Sequence, residues 1–194
     1  MQKRVLTVSA VALMALSFFL ASCAEDSFMG PDPAQSKAIP TEEIQWIGWN
    51  AEVQPEMEGI GKIGFAGKMI TPQAGGIVGG TKTLENKVEF PKGAVDDNTF
   101  VTVEVLCLDG REQCGAGVEF LPSGSFNKPV TITLSWEYLE ILTDIEASQF
   151  KIYYSEDADG AEWYQLDAAY IEIDYENKLV IFQADHFTRY QWGL

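Results

Sequence analysis

The sequence predicts an all-β fold, an antiparallel two-sheet β-sandwich, on three observations. From about residue 62 onward, short β-branched runs alternate with clusters of Gly, Pro, Asn and Asp. Within two of those runs the alternation is strict: Val101, Val103 and Val105 oppose Thr102 and Glu104, and Val130, Ile132 and Leu134 oppose Thr131, Thr133 and Ser135. A period of two puts one set on a buried face and the other toward solvent. Helical spacing is scarce.

Taken in order, the chain opens on Lys3 and Arg4, an apolar run over 5–20, and then Leu20-Ala21-Ser22-Cys23. A short basic start before an apolar stretch reads as a secretory signal over 1–22. The run is shorter than the ~20 residues a membrane-spanning helix needs. Leu-Ala-Ser-Cys resembles the bacterial lipobox, which implies that Cys23 is acylated and becomes the first residue of the mature chain. The resemblance implies anchoring to a membrane through acyl chains, in the cell envelope of a bacterium. Ala24, where an inner-membrane retention signal would carry aspartate, favours the outer membrane; Glu25 and Asp26 resemble a surface-export signal. Residues 23–43, with Gly30, Pro31, Pro33 and Pro40, read as a flexible tether. The domain is expected over 44–194.

Trp46 and Trp49 are heavy apolar cargo for a linker and are expected to pack on the sandwich edge. Further strands are expected over 84–90, 99–106, 117–121, 130–135, 150–154, 169–174, 178–183 and 188–192. Pro91 with Gly93, Ser123-Gly124 with Pro129, and Tyr175-Glu176-Asn177 punctuate them as turns or crossings. One helical turn is expected over 137–142. Eight to ten strands suit two sheets.

Charge and composition narrow the function. A formal net charge of -16 argues against a phosphate-backbone partner, so nucleic-acid binding is excluded. A single histidine, His186, removes multi-histidine zinc sites. Gly75, Gly76, Gly79, Gly80, Lys82 and Thr83 superficially suggest a phosphate loop, but Thr81 interrupts Gly-Lys-Thr and a strand follows. They read as turn and bulge residues.

Four ordered pieces carry a family signature: Gly75-Gly76-Ile77-Val78, Phe90-Pro91-Lys92-Gly93-Ala94-Val95, the stretch from Phe120 through Pro122, Gly124 and Phe126 to Val130, and Asp185-His186-Phe187-Thr188-Arg189-Tyr190. Together they resemble the ZU5 domain, a β-sandwich of ankyrins, netrin receptors and tight-junction scaffolds that also occurs in bacterial lipoproteins. The resemblance implies fold more strongly than function. It points to a non-enzymatic binding or structural module with no cofactor, its partner a protein or a glycan. In some relatives His-Phe-Ser marks self-cleavage before the serine. Here that alternative would use His186, Phe187 and Thr188, while the bland reading makes Phe187 a core residue on the last strand.

Other residues carry chemistry of their own. Cys107 and Cys114, alone in the body, form a disulfide candidate in an exported chain; two buried thiols are the alternative. Asp157, Asp159 and Glu162 offer oxygens to a weak calcium site, although a solvated turn explains them as well. Residues 137–176 hold twelve acidic residues and one basic one, a balance that a cation would relieve. Trp163 and Tyr164 are the partner-contact pair, since one of two consecutive strand residues must face outward. Such contact, or calcium, would make a calcium- or carbohydrate-dependent adhesion module.

Overall fold

A computed structural model describes residues 37–53, 61–108, 114–140, 149–156 and 162–194. The signal segment, Cys23 and most of the tether lie outside them, as do Asp157 and Asp159. Among the described residues the chain builds two antiparallel sheets from eleven strands. These are β1 (Gly61–Ile70), β2 (Gly76–Gly79), β3 (Lys87–Phe90), β4 (Thr99–Leu108), β5 (Gly115–Leu121), β6 (Ser125–Ser135), β7 (Lys151–Ser155), β8 (Tyr164–Gln165), β9 (Glu172–Asp174), β10 (Leu179–His186) and β11 (Arg189–Gly193). One sheet runs β1-β4-β5-β11-β7-β8 and the other β2-β3-β6-β10-β9. Between them the alternating residues meet: Val101, Val103 and Val105 of β4 are buried with Val130, Ile132 and Leu134 of β6. This is the expected two-sheet sandwich.

Several local expectations are corrected. The strand expected from residue 84 begins at Lys87, because Leu84 and Glu85 take left-handed backbone angles in a turn that follows the 3-10 residues Thr81–Thr83. That turn is built around buried Asn86, whose Nδ2 donates to the Thr83 carbonyl (2.7 Å) and whose Oδ1 accepts from Ser135 N–H (3.0 Å). The strand expected from 169 begins at Glu172, after the 3-10 turn Ala168–Tyr170, where Asp167 accepts from Ala169 N–H. β6 runs through Pro129 rather than starting after it; the β6–β10 register shifts between Ala184 and His186, so no ladder partner is asked of Pro129. Over 137–140 there is a turn, not a helix, and Leu139 bridges Trp49.

The four glycines set apart from a phosphate loop all have positive φ. At Gly75, φ is 64°, and a Cβ there would collide with the Phe90 carbonyl; the β1–β2 turn closes against β3 only with glycine.

The N-terminal segment is structural earlier than expected. Ile39 N–H donates to the Trp163 carbonyl (2.8 Å), so the part of the tether just before residue 44 is packed on the domain. β5 and β11 pair only from Gly117↔Gln191 to Glu119↔Arg189. Where their ends diverge, residues 45–49 slot between them. Ile47 N–H donates to Trp192, Ala116 N–H to Ile47, and Trp49 N–H to Cys114, all at 2.9 Å. Trp49 therefore sits in the main core, not on the edge, and its Nε1 donates to the Leu106 carbonyl (2.9 Å). Trp46 lies beside it in a second cluster with Ile44, Tyr153 and Trp163.

Candidate functional site

Two regions gather the residues singled out in the sequence, and a third region stands beside them. The first is the crossing from β10 to β11. Asp185 and His186 end β10 in one sheet, Phe187 and Thr188 span to the other, and Arg189 opens β11. Phe187 is 3% exposed, with its ring 4.6 Å from Phe126, 5.6 Å from Phe90 and 5.5 Å from Phe120. It is a core residue, but in the link between sheets rather than on the last strand. Phe90, Phe120, Phe126 and Phe187 pack as one aromatic plug drawn from both sheets. Such edge-to-face and tilted pairs add about 0.5–1.5 kcal/mol each beyond the area they bury.

Around that plug the polar groups are tied down. The Thr188 hydroxyl donates to the Ser155 carbonyl at the end of β7. His186 Nδ1 meets Asp185 Oδ1 at 2.6 Å. Its Nε2 lies 3.3 Å from Glu156 Oε1, within ion-pair range when the ring is protonated but off the line of a hydrogen bond. Nearby Tyr190 is buried, and burial first, then Tyr154 and the Asp185 and Glu156 carboxylates, push its phenol far above the ordinary value. The chemistry available here is that of a histidine between two acids, with the neighbouring hydroxyl already bonded elsewhere.

The second region holds Trp163 and Tyr164. Trp163 is 3% exposed, under Ile39 and edge-to-face with Trp46 (4.9 Å), which removes it from the surface as a partner contact. The N-terminal segment covers it, and nothing in the local spacing of residues 162–165 foretells that cover. Tyr164 is half-buried and stacks on Tyr154 (5.4 Å), its hydroxyl donating to Glu162 Oε2 (3.0 Å). Of the three calcium residues only Glu162 is described. Among the described residues no three His, Cys, Asp or Glu side chains gather as a metal site. Cys107 and Cys114 are joined by a disulfide, their Cα atoms 4.9 Å apart at the ends of the β4–β5 hairpin.

The third region was missed in the sequence. On the outer face of β1 and β4, Phe65 (46%), Met69 (50%) and Phe100 (54%) stand exposed. Met69 pairs directly with Phe100, and Gly67 with Thr102. A Cβ on Gly67 would fall 2.7 Å from Phe100 Cζ and 3.3 Å from Phe65 Cζ, so both rings lean over that glycine. Lys62 Nζ sits 5.0 Å from the Phe65 ring centroid and 2.5 Å from Glu104 Oε2. Farther across the sheet, Arg189 holds Glu119 through Nη2 (2.6 Å) and Nε (3.1 Å). The signal was present: if Val101, Val103 and Val105 point inward, Phe100 points out.

Neither any known family model nor any curated protein sequence matches this chain.

Proposed function

We propose that the chain is an envelope-anchored lipoprotein whose ZU5-like sandwich is a non-enzymatic binding or structural module. The anchor is Cys23, acylated after removal of residues 1–22, and it places the module at a bacterial outer membrane. The observation that carries the non-enzymatic reading is the Thr188 hydroxyl bonded to the Ser155 carbonyl. A hydroxyl that attacked the Phe187 carbonyl would have to leave that bond and pass its proton to His186, which is itself held by Asp185. The exposed rings of Phe65 and Phe100 supply apolar contact area on a rigid sheet face, as binding modules do.

One preparation tests both halves. From a bacterial envelope, the body should carry acyl mass on Cys23, and Cys23→Ala should release it from the membrane fraction. Under denaturing conditions, after prolonged incubation, the peptide bond between Phe187 and Thr188 should be intact. An unmodified Cys23 overturns the anchor. A mass ending at Phe187, made full-length by Thr188→Ala, overturns the non-enzymatic reading in favour of self-cleavage.

A further inference from the structure

The outer face of the six-stranded sheet can be followed row by row through its ladders. Lys62, Leu106, Gly117, Gln191, Tyr153 and Gln165 lie opposite one another across all six strands. Phe65, Glu104, Glu119, Arg189 and Ser155 form the next row across five. Ladder partners share a face, so both rows look out from the same side. Tyr153 is covered there by Ile44, Trp46 and Trp163, with Ile39 bridging Trp163, so residues 39–46 cross this face at β7 and β8. Phe65, Met69 and Phe100 stand exposed on it at β1 and β4, four strand spacings or about 20 Å away. The chain thus enters the domain across the face that carries these exposed side chains. Lys37 is 14 positions after Cys23. That length spans at most about 50 Å.

We infer that this face lies against a lipid surface, with Phe65, Met69 and Phe100 entering the boundary between head groups and acyl chains. The inference rests on the proposed anchor at Cys23, and deepens the binding-module reading by naming lipid as what these side chains meet. An acylated Cys23 holds Lys37 close to the membrane, on the side of the domain where the exposed rings lie. Few apolar contacts then suffice to fix the orientation, because the anchor has already made the encounter local. Charge permits it. On the strands of this face Lys62, Lys151 and Arg189 stand against Glu104 and Glu119, and the segment lying over it adds Lys37 against Glu42 and Glu43. Asp96 and Asp97 lie in the link before β4, where Asp96 accepts from Asn127 of the other sheet (2.7 Å). The opposite outer face carries Lys87 against Glu89, Glu172 and Asp174. In a chain of net charge -16 the neutral face is the one that an anionic head-group layer repels less. The Lys62 ammonium, 5.0 Å from the Phe65 ring centroid, stays at head-group level while its stem lies along the apolar patch. Docked in this way, the five-stranded sheet turns its outer face away from the membrane.

The test is made on the full-length chain in bacterial envelopes. Phe100 is replaced by the photo-crosslinking residue p-benzoylphenylalanine, the envelopes are irradiated, and the digested chain is weighed peptide by peptide. Phospholipid mass is expected on the peptide that holds residue 100. The same replacement at Gln183, exposed on the opposite outer face, should yield about tenfold less. Phe65→Ser plus Met69→Ser should lower the yield at residue 100 about tenfold, since their apolar burial is lost. Phe65→Trp, which keeps a ring suited to the interface, should preserve it. Lipid at residue 183 as abundant as at residue 100 overturns the docking. So does a protein joined at residue 100, no product there, or a yield indifferent to the serines. The Cys23 peptide of the same digest reads the anchor separately. Acylated Cys23 with a lipid-free residue 100 overturns the docking alone. Unmodified Cys23 overturns the anchor alone when residue 100 still carries lipid, and both when it does not.

Discussion

At Asp174 a single carboxylate fixes the turn between β9 and β10. It accepts from Asn177 Nδ2 (2.7 Å) and Asn177 N–H (3.0 Å). Those bonds, the side-chain one foremost, hold its acid below the ordinary carboxylate value. A depressed folded value means that its contribution is present above the unfolded value of about 3.9 and is lost as pH falls through the lower folded one. In an NMR titration the Asp174 carboxyl should show a midpoint below the ordinary carboxylate value, and Asn177→Ala should raise it. A midpoint that ignores Asn177 would contradict the bonding. The compact turn at 175–177 was legible because Asn and Asp there bond their own backbone. The burial of Trp163 was not, because its cover comes from Ile39, more than a hundred positions away.

For the elements, alternation carried most of the reading. β4 and the second half of β6 follow from their valines and threonines alone. What alternation misplaces are segments whose backbone partners are distant or absent. Residues 84–86 adjoin the strand-like run 87–90, but Asn86 ties them into a turn and joins it to β6. Residues 45–49 carry no strand pattern, and they pair because the diverging ends of β5 and β11 leave backbone groups that must be satisfied. Trp49 is the side chain that secures that insertion. Trp49→Ala should lower stability by about 3–5 kcal/mol, through the cavity left. Urea unfolding measures it; a midpoint unchanged from the parent would show that the insertion adds nothing to the core.

Across the whole molecule, the two sheets are sewn together where the chain passes between them. The link at 187–188 does so with Phe187, whose neighbours come from β3 and β6 on one side and β5 on the other. Phe187→Ala should therefore cost about 3–5 kcal/mol while leaving one cooperative transition with the same denaturant slope. Two separated transitions would mean that the sheets are independent units. The sandwich class was legible because period-two patterning specifies faces; which edge lies beside which depends on strand order, and no local pattern encodes that.

The insertion of residues 45–49 also sets the order in which the fold can be completed. Its partners are Cys114 and Ala116 in the middle of the chain and Trp192 to Leu194 at the far end, with Leu194 N–H donating to the Gln45 carbonyl (2.9 Å). A polypeptide delivered amino end first leaves 45–49 waiting until position 194 has emerged. Contacts so distant along the chain form slowly. Until then Trp49 has no finished pocket; once residues 192–194 are in place the sheet closes over the earlier segment.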